Sequence, residues 1–233
     1  MFNYINSFLL AAGLLVASET YSVTLDFETD AAGNPIVSGQ VIDDEYAGFG
    51  VNISVQNFGG GPDLGVAFDS NNPTGGDGDL VTPGYGLNNS QNLGNLLVIQ
   101  ENGGDFNSDG FLDSGSPDDE AGGGRIDIFF SVDQIFAELN IIDTEEAGGA
   151  VRLLKDGFVV ATQVLAPVGD NGYQLRTFDS TLFDQIRIDF AGSGGLGEVR
   201  AVAVPEPSTW LLLSTVLCGV WVATQRKRAR ARF

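Results

Sequence analysis

Apolar and polar side chains that alternate with a period of two are the feature of this sequence that most restricts its fold. In "GRIDIFF" and "QIRIDF" the isoleucines and the last phenylalanine fall on one face of an extended chain. Such alternation is typical of β-strands that place one face on a core and the other towards solvent. The pattern predicts about eleven short strands: VTLDFE, GVNISV, GVAFDS, NLLVIQ, GRIDIFF, IFAELNII, VRLLK, FVVATQVL, YQLRTF, QIRIDF and EVRAVAV.

Glycine-rich turns separate these segments, and glycine supplies 32 of the 233 residues. Asp156-Gly157 lies between two apolar segments and predicts a β-hairpin with a type I′ turn, in which both central residues take positive φ. Many short strands with such turns favour an all-β domain, either a β-sandwich or a barrel. We expect a jelly-roll-like β-sandwich over residues 23–203. Two long stretches rich in Gly, Asp and Asn, 59–95 and 101–124, interrupt the strands and are candidates for functional loops.

The expected domain is strongly acidic. All 31 Asp and Glu residues lie between Glu19 and Glu206, where only six Lys and Arg accompany them, so this region has a formal charge of −25. Such a field repels nucleic acid phosphates and attracts cations, although acidic surfaces also keep secreted proteins soluble. We therefore expect no nucleic acid partner.

The residue types that most hydrolases use as catalytic groups or metal ligands are either absent or lie outside the expected domain. The chain has no His, and its only Cys, Cys218, lies in an apolar run near the C-terminus. This disfavours thiol proteases, zinc hydrolases and Ser-His-Asp hydrolases. A glycosidase needs only two carboxylates, and the sequence gives no way to select a pair among 31. We predict no catalytic residues and a non-enzymatic protein, with a carboxylate-dependent polysaccharide hydrolase or lyase as the weaker alternative.

An acidic loop, "DFNSDGFLDSGSPDDE", holds the most specific pattern of the domain. Asp105, Asn107 and Asp109 occupy alternate positions, and a glycine follows. Oxygen atoms at alternate positions converge when the chain curls, and glycine permits the sharp turn. The first nine residues resemble the calcium loops of dockerins and EF-hands. In that pattern the carbonyl of Phe111 and the carboxylate of Asp113 are further Ca²⁺ ligands.

The match to calcium loops stops at the twelfth position, where Ser116 replaces a bidentate Glu. Asp118, Asp119 or a carboxylate from another loop would have to complete the metal shell. The stretch "DSNNPTGGDGD" offers a second, less specific acidic group: Asp69, Asp77 and Asp79. These residues could line the same pocket. The alternative is that both stretches are solvated loops, since Asp, Asn and Gly also dominate ordinary turns.

Residues 1–22, "MFNYINSFLLAAGLLVASETYS", have the composition of a secretory signal peptide. An apolar segment from Phe8 to Ala17 is followed by small residues, although the first residues carry no Lys or Arg. The alternative is a buried strand or helix at the start of the fold. We expect the chain to be exported.

Residues 204–233, "VPEPSTWLLLSTVLCGVWVATQRKRARARF", combine a Pro-Glu-Pro step, a short apolar run and a basic tail. Trp210–Ala223 comprises 14 uncharged residues, fewer than the about 20 of a full membrane span. The basic residues stand on one side only, beginning with Arg226, Lys227 and Arg228, as the positive-inside rule requires for a cytoplasmic tail. We expect one short transmembrane helix here, with a buried core helix as the alternative.

This order of motif, apolar run and Arg-rich end closely resembles the PEP-CTERM sorting signal of Gram-negative bacteria. The resemblance covers about 30 of the 233 residues. It implies that an exosortase-type processing enzyme recognises Pro205, Glu206 and Pro207 while the inner membrane holds the protein transiently. The protein would then reach the cell surface or be secreted. "QIRIDFAGSGGLGEVRAVAVPEP" also resembles the last strands of PEP-CTERM ectodomains, which are commonly β-sandwiches similar to carbohydrate-binding modules.

The sequence supports two functional hypotheses. The leading one is an exported surface or extracellular-matrix protein with Ca²⁺-stabilised acidic loops, because calcium would neutralise clustered carboxylates. The alternative is a glycan-binding protein similar to carbohydrate-binding modules, with an extracellular polysaccharide as its ligand.

Overall fold

A computed structural model describes residues 21–204, which form nine β-strands and two short 3₁₀-helices. The strands are β1 (Ser22–Leu25), β2 (Val51–Asn57), β3 (Gly65–Asp69), β4 (Asn95–Ile99), β5 (Gly124–Ile142), β6 (Ala150–Lys155), β7 (Phe158–Val164), β8 (Tyr173–Phe190) and β9 (Gly195–Ala203), and the 3₁₀-helices are Ala47–Phe49 and Gly78–Leu80. The described chain is therefore nearly all β, as the alternation predicts.

Residues 1–20 of the expected signal peptide lie outside the described residues, as do the Pro-Glu-Pro motif, the expected transmembrane helix and the basic tail. The last residue of the expected signal peptide, Ser22, is the first residue of β1 and pairs with Val202. Within residues 21–204, no helix combines the length and the apolar character needed to cross a membrane.

All strand pairs are antiparallel and belong to one connected sheet with the order β3-β4-β9-β5-β8-β6-β7, in which β1 also pairs with β9 and β2 with β5. The long strand β5 changes neighbours along its length. Its first half pairs with β2 and the end of β8, whereas its second half pairs with β9 and the start of β8. Register shifts between Phe129 and Phe136 separate the two halves. The sheet consequently has two parts, joined by β5 and β8.

The two parts of the sheet share one apolar core. Ile126 and Ile188 from the first part are fully buried in the same cluster as Leu139 and Val199 from the second. Burial of apolar surface, at about 25 cal/mol per Å², is the main force that holds the two parts together. Strands β3 and β4 are buried on both faces, because alternate residues of each strand contribute to the main core and to a second, smaller cluster.

Two pairs of predicted strands are continuous in the structure, so the prediction of eleven separate strands is wrong at these places. GRIDIFF and IFAELNII are both part of β5, and YQLRTF and QIRIDF are both part of β8. The linking residues, 131–134 and 179–184, contain no Gly or Pro. The chain therefore stays extended and absorbs local irregularities instead of turning.

The hairpin predicted at Asp156-Gly157 is confirmed. Asp156 has a φ of 51° and Gly157 a φ of 81°, and the flanking Lys155 and Phe158 are paired. The positive φ values match the right-handed twist of the two strands, which explains the Asp-Gly sequence.

Strand β1 ends at Leu25, earlier than the alternation predicts. Oδ1 of Asp26 accepts the backbone N–H groups of Glu28 and Thr29, each at 3.0 Å. Phe27 takes a φ of 57° and leaves the strand while its ring stays fully buried. Hydrogen bonds between the Asp26 side chain and the nearby backbone thus replace the hydrogen bonds to a neighbouring strand, and β1 ends.

Candidate functional site

Residues 105–113 form a compact loop between β4 and β5. Isolated β-bridges join Phe111 to Gln40 and Gly104 to Ser114. The first bridge fixes the loop to the segment before β2, and the second closes its base. The loop therefore has a defined backbone conformation.

Hydrogen bonds link the side chains of three predicted calcium ligands, Asn107, Asp109 and Asp113, whereas the side chain of Asp105 bonds the backbone of the same loop. Oδ1 and Oδ2 of Asp105 accept the N–H groups of Asp109 at 3.1 Å and Gly110 at 2.9 Å. Nδ2 of Asn107 donates to Oδ2 of Asp109 at 3.1 Å and to Oδ1 of Asp113 at 2.7 Å. The amide group of Asn107 thus lies between the carboxylates of Asp109 and Asp113, whose negative charges favour a positive charge nearby. The carboxylates and the amide oxygen of this loop are a donor set that suits a hard cation such as Ca²⁺.

Asp118 and Asp119 belong to other hydrogen-bond networks. Oδ2 of Asp118 accepts Nδ2 of Asn102 at 2.9 Å. Oδ2 of Asp119 accepts the N–H of Gly194 at 2.8 Å. In the described part of the chain, neither carboxylate is hydrogen-bonded to residues 105–113.

Three other carboxylates from separate loops meet away from residues 105–113. Asp79, Asp143 and Asp170 each present an oxygen atom, and these atoms lie within 4.8 Å of one another. Asp143 accepts the N–H of Asn171 at 2.6 Å, and the hydroxyl of Tyr85 donates to Asp170 at 2.7 Å. Oδ1 of Asp79 is buried without a hydrogen-bond partner. Across the described residues no Lys or Arg forms an ion pair with the three. Their geometry could hold a divalent cation.

Burial raises the pKa values of the carboxyl groups in this region, because loss of solvation penalises the charged form. It raises the pKa of Asp143 to about 7 and also raises that of Asp79. The pKa of Asp77 rises to about 8, first because of burial and then because of the charge on nearby Asp119. Asp69, the remaining member of the second acidic group, accepts a backbone N–H within its own turn. The sequence does not indicate that Asp143 and Asp170 join Asp79.

A groove of about 520 Å³ lies on the face of β5, β8 and β6 that points away from the core. Its lining includes charged and apolar side chains: Phe58, Arg125, Arg152, Val159, Arg187 and Asp189. Arg125, Arg152 and Arg187 alternate along their strands with fully buried apolar residues. The period-two pattern that fills the core therefore also points these arginines outward.

Ion pairs across the strands fix the arginines of the groove. Arg125 lies directly opposite Asp189 in the sheet register, and its Nε is 2.7 Å from Oδ1. The other oxygen of Asp189 accepts a hydrogen bond from Nη1 of Arg152. Nε of Arg187 donates to Oδ1 of the buried Asp127 at 2.7 Å. Each aspartate thus holds one or two guanidinium groups in a defined orientation.

Exposed apolar side chains flank the charged floor of the groove. The side chains of Phe58 and Val159 are 49% and 54% exposed. The guanidinium of Arg125 lies over the Phe58 ring, 5.7 Å from its centroid, which is a cation–π geometry. The groove therefore combines a flat apolar surface with several hydrogen-bond donors and a carboxylate.

A larger, polar hollow of about 710 Å³ lies beside the turn that follows Phe58. Glu101 and Glu120 line it together with glycine backbone. The oxygens of Glu120 accept Nδ2 of Asn57 and the N–H of Gly122, each at 2.7 Å. No aromatic residue of residues 21–204 lines this hollow, which distinguishes it from the groove.

No family model and no curated protein matches the chain. Among solved structures, the chain resembles the family 32 carbohydrate-binding module of C. perfringens NanJ in complex with galactose, at 11% identity, over 70% of this chain and 98% of that one, with a TM-score of 0.32. It also resembles allantoicase from Saccharomyces cerevisiae, at 14% identity, over 72% of this chain and 45% of the enzyme, with a TM-score of 0.34.

A third match is a mutant of the lectin domain of lectinolysin complexed with Lewis b, at 9% identity and a TM-score of 0.28. It covers 35% of this chain and 64% of that domain, less than two thirds of its length.

Proposed function

We propose that this protein is an exported, non-enzymatic glycan-binding protein of the cell surface or extracellular matrix. The groove on β5, β8 and β6 is the observation that carries the proposal. The exposed ring of Phe58 offers a flat apolar surface for the C–H face of a sugar ring. Arg125, Arg152 and Asp189 beside it offer donors and an acceptor for sugar hydroxyl groups. An apolar surface with a few convergent polar groups is the usual composition of a small-ligand site.

In this proposal the two parts of the sheet are the layers of a jelly-roll-like β-sandwich. The shared core between them and the change of partners along β5 and β8 support this architecture. The groove then lies on the outer face of one layer, where a polymer could reach it without any rearrangement of the core.

Calcium has a supporting role in the proposal. The cation would bind at Asp105, Asn107, Asp109 and Asp113, with the carbonyl of Phe111 as a further ligand, and would stabilise the loop. The side-chain hydrogen bonds among Asn107, Asp109 and Asp113, and the bonds of Asp105 to the backbone of this closed loop, support this assignment. In a region with a formal charge of −25, a bound Ca²⁺ would also lower the repulsion between neighbouring carboxylates. A purely structural role of this loop in a surface matrix is the second candidate function.

Export and sorting complete the proposal. The signal peptide at residues 1–22 would direct the chain through the inner membrane of a Gram-negative bacterium. Residues 204–233 would anchor it there until an exosortase-type enzyme acts near Pro205-Glu206-Pro207. The order of motif, apolar run and basic tail in the sequence supports this assignment.

A glycan array probed with the full-length chain tests the glycan-binding function. We expect binding to a subset of glycans, and we expect Phe58→Ala to abolish most of it. Phe158→Ala is the matched control, because Phe158 is a 76% exposed phenylalanine at the β6–β7 hairpin. The array should be run with Ca²⁺ and with a chelator. A wild-type chain that binds no glycan under either condition would refute the function.

A further inference from the structure

We infer that the groove binds an acidic glycan, and that the carboxylates of its uronate sugars contact Arg125, Arg152 and Arg187. This inference rests on the glycan-binding function proposed above and gives its substrate class.

The groove is a local concentration of positive charge in an acidic domain. Only six Lys and Arg occur between Glu19 and Glu206, and three of them line this one groove. Asp127 and Asp189 are their ion-pair partners, so the guanidinium groups exceed the paired carboxylates by one. Electrostatic complementarity therefore favours an anionic ligand here, although the rest of the domain would repel it.

The three arginines keep unused donors. Their hydrogen bonds involve Nε of Arg125, Nη1 of Arg152, and Nε and Nη2 of Arg187. Within residues 21–204, both terminal nitrogens of Arg125, Nη2 of Arg152 and Nη1 of Arg187 have no hydrogen-bond partner. The three side chains are 31%, 33% and 28% exposed. A planar guanidinium with free N–H groups binds a carboxylate through two parallel hydrogen bonds.

The sheet register adds a second argument for an anion. Arg152 and Arg187 are direct partners across β6 and β8. Like charges that lie directly opposite each other destabilise an antiparallel pair. Asp189 and Asp127 offset part of this repulsion, and a ligand carboxylate would offset more of it.

The apolar side chains of the groove select among anions. A free inorganic anion would use the arginines and leave Phe58 and Val159 in water. A uronate ring carries its carboxylate on an apolar C–H framework, and would therefore contact the guanidinium groups and the exposed apolar side chains together.

The test compares the binding of the full-length chain to polygalacturonate, to its methyl ester and to a sulfated polymer. The ester keeps the sugar backbone and removes the charge. A chelator prevents calcium from bridging carboxylates, and about 0.15 M salt limits long-range repulsion to a Debye length of about 8 Å. We expect polygalacturonate to bind at least tenfold more tightly than either the ester or the sulfated polymer.

Two variants locate the site. Arg152→Gln should weaken polygalacturonate binding at least tenfold, and the fold should persist because Asp189 keeps its pair with Arg125. Arg200→Gln makes the same change of net charge at an arginine outside the groove, with a 53% exposed side chain, and should leave binding unchanged. Thermal unfolding of both variants checks that they are folded.

The possible failures are distinguishable. Equal binding of polygalacturonate and its ester, or tighter binding of the sulfated polymer, would overturn the inference and leave the glycan-binding function standing. Equal weakening by Arg152→Gln and Arg200→Gln would show that net charge rather than the groove controls binding, which also overturns the inference. If the chain binds none of these polymers and no glycan of the array, both the inference and the proposed function fail.

Discussion

Arg125 and Asp189, 64 residues apart in the chain, lie directly opposite each other in β5 and β8, with Nε 2.7 Å from Oδ1. The same carboxylate accepts a hydrogen bond from Arg152 of β6. One aspartate of the middle strand thus holds an arginine from the strand on each side. These three side chains form the floor of the groove. Asp189 therefore affects both the stability of the sheet and the net charge of the groove.

Replacing Asp189 should therefore have two effects. Asp189→Asn removes the charge that holds two guanidinium groups, and we expect the free energy of unfolding to fall by about 1–3 kcal/mol. The same change leaves the groove more positive, so polygalacturonate should bind more tightly. Urea denaturation and binding isotherms of the full-length chain measure the two effects. Glu198→Gln, at an exposed ion pair with Arg200, is the control, and an equal response of both variants would contradict this role of Asp189.

The stability of the protein should fall as pH rises from about 4 to about 8 when metal ions are removed. Burial raises the pKa of Asp143 to about 7 and that of Asp77 to about 8, from a usual value of 3.8. Between the unfolded and folded pKa values the folded chain binds more protons than the unfolded chain, so each such group favours folding at low pH and loses this contribution as pH rises. One proton of difference corresponds to about 1.4 kcal/mol per pH unit.

Asp143→Asn tests the origin of this pH dependence. The amide cannot ionise, so the fall in the free energy of unfolding between pH 4 and pH 7 should be shallower than in the wild-type chain. Denaturant unfolding at a series of pH values in a chelator measures it. Asp179→Asn, at an exposed position in β8, is the control variant, and an equal change of slope in both variants would contradict this origin. An unaltered slope in Asp143→Asn would count against the raised pKa.

Calcium should raise the midpoint of thermal unfolding. A site in the folded state that is occupied at 100 times its dissociation constant stabilises the fold by about 2.7 kcal/mol. We expect a clear upward shift with Ca²⁺, no shift with a chelator, and a smaller shift in Asp109→Asn, in which Asp79, Asp143 and Asp170 still form a group that could hold a cation. Asp179→Asn should keep the shift. Identical midpoints with Ca²⁺ and with a chelator would remove calcium from the proposed function.

Sorting makes a separate prediction outside the described residues. Changing Glu206 and both flanking prolines, Pro205 and Pro207, to Ala should leave unprocessed protein in the inner membrane, because the processing enzyme would lose its recognition residues. Fractionation of cells that express the variant and the wild-type chain checks this. Normal release of the variant would refute the assignment of the motif.

Local patterns in the sequence predict the local parts of this structure. The strand-like segments of the sequence correspond to all nine strands. Period-two alternation marks strands with one buried face, such as β2, whereas β4 is a continuous apolar run because both of its faces are buried. The spacing of Asp105, Asn107 and Asp109 predicts a curled loop, and the structure has local hydrogen bonds from Asp105 to the backbone of Asp109 and Gly110 and from Asn107 to Asp109; calcium binding there stays a prediction. Asp118 and Asp119 lie in other hydrogen-bond networks, since the path of the chain after residue 113 depends on distant partners such as Asn102 and Gly194.

The groove could not be predicted, because it depends on the order of the strands. The sequence does place one arginine at an outward position in each of three predicted strands: Arg125, Arg152 and Arg187. This outward position is the only indication of the groove that a single strand provides. Only the order β5-β8-β6 makes them neighbours, and no pattern within a single strand specifies its partner. The cluster formed by Asp79, Asp143 and Asp170 could not be predicted for the same reason, because three separate parts of the chain bring these residues together.

Hydrogen–deuterium exchange of the full-length chain, with and without polygalacturonate, tests the central claim most directly. We predict slower exchange in the segments around the groove, at residues 57–61, 122–125, 146–149 and 190–193, with little change in residues 105–113. This pattern should be absent in Phe58→Ala. Protection confined to the acidic loop or to the opposite part of the sheet, with unchanged exchange around the groove, would contradict the binding of an acidic glycan at this groove.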